Sequence, residues 1–238
     1  MSTTQISYLT ERKEFQWPNP PEETEIDKLV FAKLRQLQIE PSDLCSDSDF
    51  LRRATLDLTG RLPTLEETQQ FHADAGPQKR AALVDRLLAT DDHARFWSLK
   101  WSDLLRVNSK RLTKSGVHKF RRWLFDIVKN DVPLNQFAHE LLTATGSTQQ
   151  NAAAAYWKAS RDEIDATETT AQLFLGVRIQ CAKCHNHPFE KWTQDDYYGT
   201  AAAFNRVGRK ETGLPDDEMI FVKAGGEVTQ PRTGRQMK

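Results

Sequence analysis

Apolar residues return at every third or fourth position over most of the stretch from Glu23 to Val207. A strand cannot gather residues so spaced on one side, whereas an α-helix does, so a mostly helical interior is expected. The first run, Ile26, Leu29, Val30, Leu34 and Leu37, predicts an amphipathic core helix that ends before Pro41. Asp47 or Ser48 caps the next, with Phe50, Leu51, Ala54 and Leu58 inward and Thr59-Gly60 closing it. Thr64 then caps a third, with Glu67 at the reciprocal capping-box position. Further helices are expected over 77–89, 91–107, 115–130 and 133–144, the last opened by Pro133 and stopped by Gly146-Ser147-Thr148. Residues 151–160 permit a helix, 162–176 predict one with Gly176 as its left-handed stop, and Thr193 caps one over Gln194–Val207.

The two ends lack this period. Residues 1–22 carry Pro18, Pro20 and Pro21 and read as an extended, poorly ordered lead-in. Residues 208–238 offer a strand at Met219–Lys223, a Gly225-Gly226 turn and a weaker strand at Glu227–Gln230, which together make a short β hairpin followed by a tail that stops unfinished. The fold class expected is therefore mostly α, a multi-helix single domain over 23–207 with a small C-terminal β appendage. At 238 residues the chain is long enough to bury a core without disulfides. Thirty-three Lys and Arg balance thirty-three Asp and Glu, which removes any global charge argument for nucleic acid or an anionic membrane. No apolar run approaches the roughly 18–20 residues of a transmembrane segment. The N-terminus shows no cationic start followed by an apolar stretch, so the chain as it stands reads as cytoplasmic or as a piece of something longer.

Of three cysteines, two fall in one pentapeptide, Cys181-Ala182-Lys183-Cys184-His185. In this order two thiols can add across the vinyl groups of a haem, and the histidine that follows is held beneath the iron, so a haem c site with His185 as proximal ligand is the leading reading. Phe174, Phe189 and Trp192, with Leu175, Tyr197, Tyr198 and Phe204, lie near enough in sequence to wall a porphyrin; they are equally what any helical core contains. His187 opens a metal alternative in which Cys181, Cys184, His185 and His187 bind Zn²⁺, with Cys45 able to replace one of them. Zinc sites usually draw ligand pairs from separate loops, which weakens a set taken from seven consecutive residues. A redox-active Cys pair would want a βαβ setting that the helical pattern does not supply. His187 starts on the same side of a porphyrin as His185, so a distal ligand would have to be Met219, His118 or His139, or that face stays open to small ligands.

Two further constellations remain. Arg106, Lys110, Arg111, Lys114, Lys119, Arg121 and Arg122 follow one another with no acid between them, a basic run that could meet haem propionates, an acidic redox partner, an anionic polysaccharide or nucleic acid. The plain alternative is a solvated helix face balanced by acids at 22–27, 43–49 and 162–168, and no nucleic-acid module accompanies the run. Asp195 and Asp196 beside Glu190 could be assembled into a metallohydrolase, but paired acids at a helix start are ordinarily dipole partners and caps.

Residues 52–64 (RRATLDLTGRLPT), 174–180 (FLGVRIQ) and 181–198 (CAKCHNHPFEKWTQDDYY) resemble a domain-of-unknown-function family of planctomycete cytochrome-associated proteins, over about residues 24–234. The resemblance implies a piece of a long exported chain in the periplasm or cell envelope, beside a cytochrome c or immunoglobulin-like module and a second domain of unknown function. It maps the haem-type motif to Cys181, Cys184 and His185, and a His-Pro-Phe step to His187-Pro188-Phe189. Glu190 stands where the family usually has Asp, which keeps the acid. The partners it implies are a redox partner or neighbouring domains, and the family brings no settled activity.

Overall fold

The computed structural model describes residues 12, 14–160 and 162–238, and it falls into two units, one up to Phe50 and one from Leu51 to Lys238. Most of the 1–22 lead-in lies outside the described residues; over 15–23 the chain forms neither helix nor strand. In the first unit α1 (Glu25–Gln36) begins at Thr24, whose hydroxyl accepts from the Asp27 N–H while the Asp27 carboxylate accepts from the Thr24 N–H. The helix expected from its period is therefore present, yet none of its residues is buried, and Ile26 and Leu29 stay 71% and 67% exposed. Periodicity specifies an apolar face without specifying what covers it, and that is where the expectation of a core helix fails.

The second unit is built from α2 (Asp47–Thr59), which starts in the first, α3 (Leu65–Ala73), α4 (Lys79–Leu88), α5 (Asp91–Leu104), α6 (Lys114–Lys129), α7 (Leu134–Leu142), α8 (Ala155–Ala159), α9 (Glu163–Phe174) and α10 (Gln194–Asn205). Thr64 with Glu67 and Thr193 cap as expected, Thr193 within a box completed by Asp196, and Thr90 and Thr113 cap α5 and α6. At α2 the cap is Ser46, ahead of both expected residues, Asp47 and Ser48, because its hydroxyl accepts from the Asp49 N–H at 3.1 Å. Between α2 and α3, Arg61 donates to both Glu67 oxygens at 2.8 Å and to Asp92 at 2.9 Å, tying the start of α3 to that of α5.

The largest core gathers Phe120 and Leu124 of α6, Phe137 and Leu141 of α7, and Tyr156 and Trp157 of α8, with Leu105 and Leu112 from the α5–α6 connection. Trp101, Trp123 and Phe174 surround Phe137, their ring centres 4.9, 5.6 and 6.1 Å from it. A second, smaller core holds Ala171, Ile179, Ala182, Tyr197 and Tyr198, with Ile164, Trp192 and Met237 packed against it. α9 and α10 serve both, since Ala166 and Phe204 face the first while Ala171 and Tyr197 face the second.

The β structure is antiparallel and differs from the expected hairpin. β3 (Glu218–Val222) lies between β1 (Gly146–Ser147) and β2 (Val207–Glu211), with Gly146 opposite Ile220 and Val207 opposite Val222. β4 (Val228–Thr229) pairs instead with β5 (Gln236–Met237). The segments at 218–222 and 228–229 thus pair with other strands and not with each other. β2 escapes a pattern search because its sequence, Val-Gly-Arg-Lys-Glu, lacks alternation, and α10 ends two residues before the expected Val207. Glycine is required in β2: a Cβ on Gly208 would lie 2.5 Å from the Phe221 ring. Among the described residues no helix is long and apolar enough to cross a membrane.

Candidate functional site

The Cys181–His185 segment is set by what precedes it. α9 stops at Gly176, whose φ of +67° only glycine adopts without strain, and the Val177 N–H turns back to the Ala171 carbonyl at 3.2 Å. A single 3-10 turn, Ile179–Lys183, follows. Residues three apart share a side of such a turn. Ile179 and Ala182 take the inner side, 2% and 0% exposed in the second core, and Cys181 and Cys184 are left on the outside, both exposed and neither in a disulfide. The N–H groups of Cys184 and His185 both donate to the Cys181 carbonyl at 3.3 Å, which carries the turn through to the histidine.

The stretch beyond is fixed by polar contacts. The Lys183 carbonyl accepts from the Gln194 side chain at 3.2 Å and from the Tyr198 hydroxyl at 3.1 Å. The Gln194 N–H donates to the Asn186 side chain, and the His187 N–H to the Trp192 carbonyl. The Glu190 carboxylate accepts from the Trp192 indole at 3.0 Å, a use for the acid at that position that needs no catalysis. Tyr197 donates to Glu168 on α9 at 2.9 Å; burial, and then that carboxylate, push its phenol well above the usual range. Burial likewise raises Tyr198. Gln194, Asn186 and Glu168 are the residues that sequence reasoning missed, because a glutamine buried at the start of a helix leaves no local pattern.

The two histidines are held in opposite ways. His185 Nδ1 lies 2.7 Å from the Asn186 carbonyl, an oxygen that can only accept, so Nδ1 donates, and in a neutral ring Nε2 is the nitrogen with the lone pair. At His187 the N–H groups of Phe189 and Glu190 both point at Nδ1, at 3.3 and 3.1 Å, so Nδ1 is the acceptor. The hydrogen of a neutral His187 ring therefore sits on Nε2. His187 shapes the turn at 187–190, and to ligate a metal through Nε2 it would first have to surrender both contacts.

The expected walls divide. Phe174 packs on Trp101 and Phe137 in the large core, and Phe204 on Trp157, both away from the motif turn. Trp192 packs on the second core beneath the motif, and Phe189 is 72% exposed. Tyr197 and Tyr198 are buried core side chains. An apolar cavity of about 580 Å³ opens between Leu142, Trp157, Phe204, Ile220 and Phe221, and no residue of the motif lines it. The motif turn packs chiefly on α9 and α10. Met219 stands in β3, His118 on α6 and His139 on α7. Cys45 belongs to the first unit. Among the described residues no three His, Cys, Asp or Glu side chains stand close enough to hold a metal ion. Asp196 is a cap, held below the usual carboxylate range by the Thr193 N–H and hydroxyl, and Asp195 pairs with Arg235 at 3.2 Å.

No curated protein and no solved structure matches the chain. The family described as PSCyt2, protein of unknown function (DUF1549), matches residues 25–209, which is most of the second unit together with α1. The chain belongs to that family.

Proposed function

We propose that the turn at 181–185 is a haem c attachment site and that the domain exchanges electrons with a partner in a bacterial cell envelope. The observation that carries this reading is the state of His185: its Nδ1–H is already committed to a backbone carbonyl, which leaves Nε2 bare as a ligand atom. Around it the donor set fits. Cys181 and Cys184 are exposed, three residues apart on the outer side of one turn, and each thiol can form one S–C bond as its hydrogen passes to the other carbon of a vinyl group. When bound, the haem supplies a one-electron couple.

The chain's own part is to hold and orient. Ile179 and Ala182 anchor the turn, Gln194 and Tyr198 fix the Lys183 carbonyl, and His187 shapes the following loop as a hydrogen-bond acceptor. Of the six aromatics expected as walls, Phe189 and Trp192 lie beside the motif, Phe174 and Phe204 serve the large core, and Tyr197 and Tyr198 are buried beneath the turn. The exposure of the motif leaves its edge open to a redox partner or a neighbouring domain. The envelope location follows the family resemblance and the compartment in which bacteria attach haem to cysteine.

The test is co-expression of an exported form with haem-attachment machinery, followed by acid-acetone extraction. Colour should stay with the protein, should be lost in the Cys181→Ala, Cys184→Ala double variant, and should persist with an altered spectrum in His185→Ala. Extraction of all colour from the parent protein would overturn the reading. About one zinc per chain in cytoplasmic protein, with a melting temperature lowered by chelator, would replace it with the metal alternative at Cys181, Cys184, His185 and His187.

A further inference from the structure

The basic run at 106–122 resolves into two groups in the folded chain. Arg106, Arg111 and Lys119 are structural: Arg106 binds Asp165 at 2.7 Å and Thr169, Arg111 binds the Ala159 carbonyl and lies 3.6 Å from Asp165, and Lys119 donates to the Gln149 carbonyl and side chain. Lys110 joins neither group, and the other three collect elsewhere. Lys114, His118, Arg121 and Arg122 of α6 line a groove of about 720 Å³ with Arg95 of α5 on its opposite side. Asp91 is the one acid on that lining, and it is engaged by Lys129 at 2.8 Å and by Arg95 at 3.7 Å. Arg122 is paired with Asp126. Among the described residues Lys114, His118 and Arg121 have no carboxylate partner, and the first turn of α6 carries no acid.

The spacing selects the ligand. Positions 114, 118 and 121 follow one another on one face of α6, about 6 and 10 Å along the axis from the first, at about 1.5 Å per residue. A single phosphate or sulfate can satisfy one end of such a row and not the other. The groove is open along one side, so a ligand's two ends can reach both cations from solvent. The groove's apolar residues are Leu99, Val117 and Phe125, the only phenyl ring among the described residues of the lining, and the Arg122 guanidinium lies over it at 5.4 Å.

We infer that the α5–α6 groove binds a small molecule carrying an oxyanion group, phosphate or sulfate, at each end, with Lys114 and Arg121 taking the two ends and His118 lying between them. The site is independent of Cys181–His185, which sits on the 3-10 turn against α9 and α10. Calorimetry at fixed ionic strength with hexane-1,6-diol bisphosphate and its bis-sulfate counterpart tests it. At least one should bind about tenfold more tightly than inorganic phosphate or sulfate, and the tighter of the two names the ligand chemistry. Lys114→Gln and Arg121→Gln should each remove most of that advantage, and Lys100→Gln, on α5 but outside the lining, should leave it intact. All three side chains are exposed, so melting temperatures should not move. Equal affinity for the bivalent and simple anions, indifference to both groove variants, or tighter binding of a single-stranded oligonucleotide than of either probe would overturn the inference.

Discussion

Around Phe137 the chain holds itself together with rings and aliphatic side chains drawn from α5, α6, α7, α8 and α9, whereas beneath Cys181–His185 five buried side chains suffice and the loop above them is fixed by hydrogen bonds to single backbone atoms. The first arrangement spreads its stabilisation over many contacts, each small. The second concentrates positional control in Gln194, Tyr198, Asn186 and His187 while leaving the thiols and one imidazole nitrogen outside. A fold kept by one region and a reactive surface kept by another can be damaged separately, and that separation can be tested.

The heaviest blow falls on the large core. Phe137→Ala removes a side chain 2% exposed that touches three other rings, and should cost about 3–5 kcal/mol in a denaturant melt. A loss under about 1 kcal/mol would mean that this core does not carry the fold. Next in size is the clamp under the motif. Gln194→Leu keeps the volume of a buried side chain but deprives the Lys183 carbonyl of a donor, for about 1–2 kcal/mol. Hydrogen exchange at Cys184 and His185 should speed up in that variant, while amides around Phe137 keep their protection. Uniform acceleration across both regions would erase the distinction between them.

Acid probes a third place that belongs to neither core. Hydrogen bonding to Arg61 holds the Glu67 carboxyl at about 2, against an ordinary value near 4.5. A depressed pKa in the folded state stabilises above the unfolded value, and that contribution fades as pH falls from about 4.5 towards 2. Glu67→Gln should therefore lower stability by about 1–2 kcal/mol at pH 7 and by little at pH 2, measured by urea melts at both. The smallest effect separates the two histidines. His187→Ala should cost about 0.5–1 kcal/mol by leaving two backbone N–H groups to solvent, and His185→Ala should cost almost nothing. Their effects on haem should run the opposite way, with His185→Ala changing the spectrum and His187→Ala sparing it.

What could be read from the chain follows the range of the interactions concerned. Capping boxes at Thr64–Glu67 and Thr193–Asp196, the Gly176 stop and the Pro133 start all act within four residues, and each was visible as a local pattern. Strand partnership is long-range: β3 joins residues about seventy positions apart at Gly146 and Ile220, and no local rule could find β1 or β2. The exposure of α1 is of the same kind, since a stripe does not name its cover. At the motif, spacing picked out Cys181, Cys184 and His185, and the N–H groups of the latter two bond back to the Cys181 carbonyl. Sequence could not say that Phe174 serves the other core, nor that His185 and His187 hold opposite tautomers, because both depend on where a distant helix or a backbone carbonyl comes to rest.

The central claim is that the outer side of the 181–185 turn exists to carry a haem on two thioether bonds. Intact mass of denatured protein, exported and matured with haem-attachment machinery, tests it most directly. The account predicts a species heavier than the polypeptide by one haem, with the addition localised by fragmentation to the peptide containing Cys181 and Cys184. A fully matured preparation at the bare polypeptide mass would contradict it.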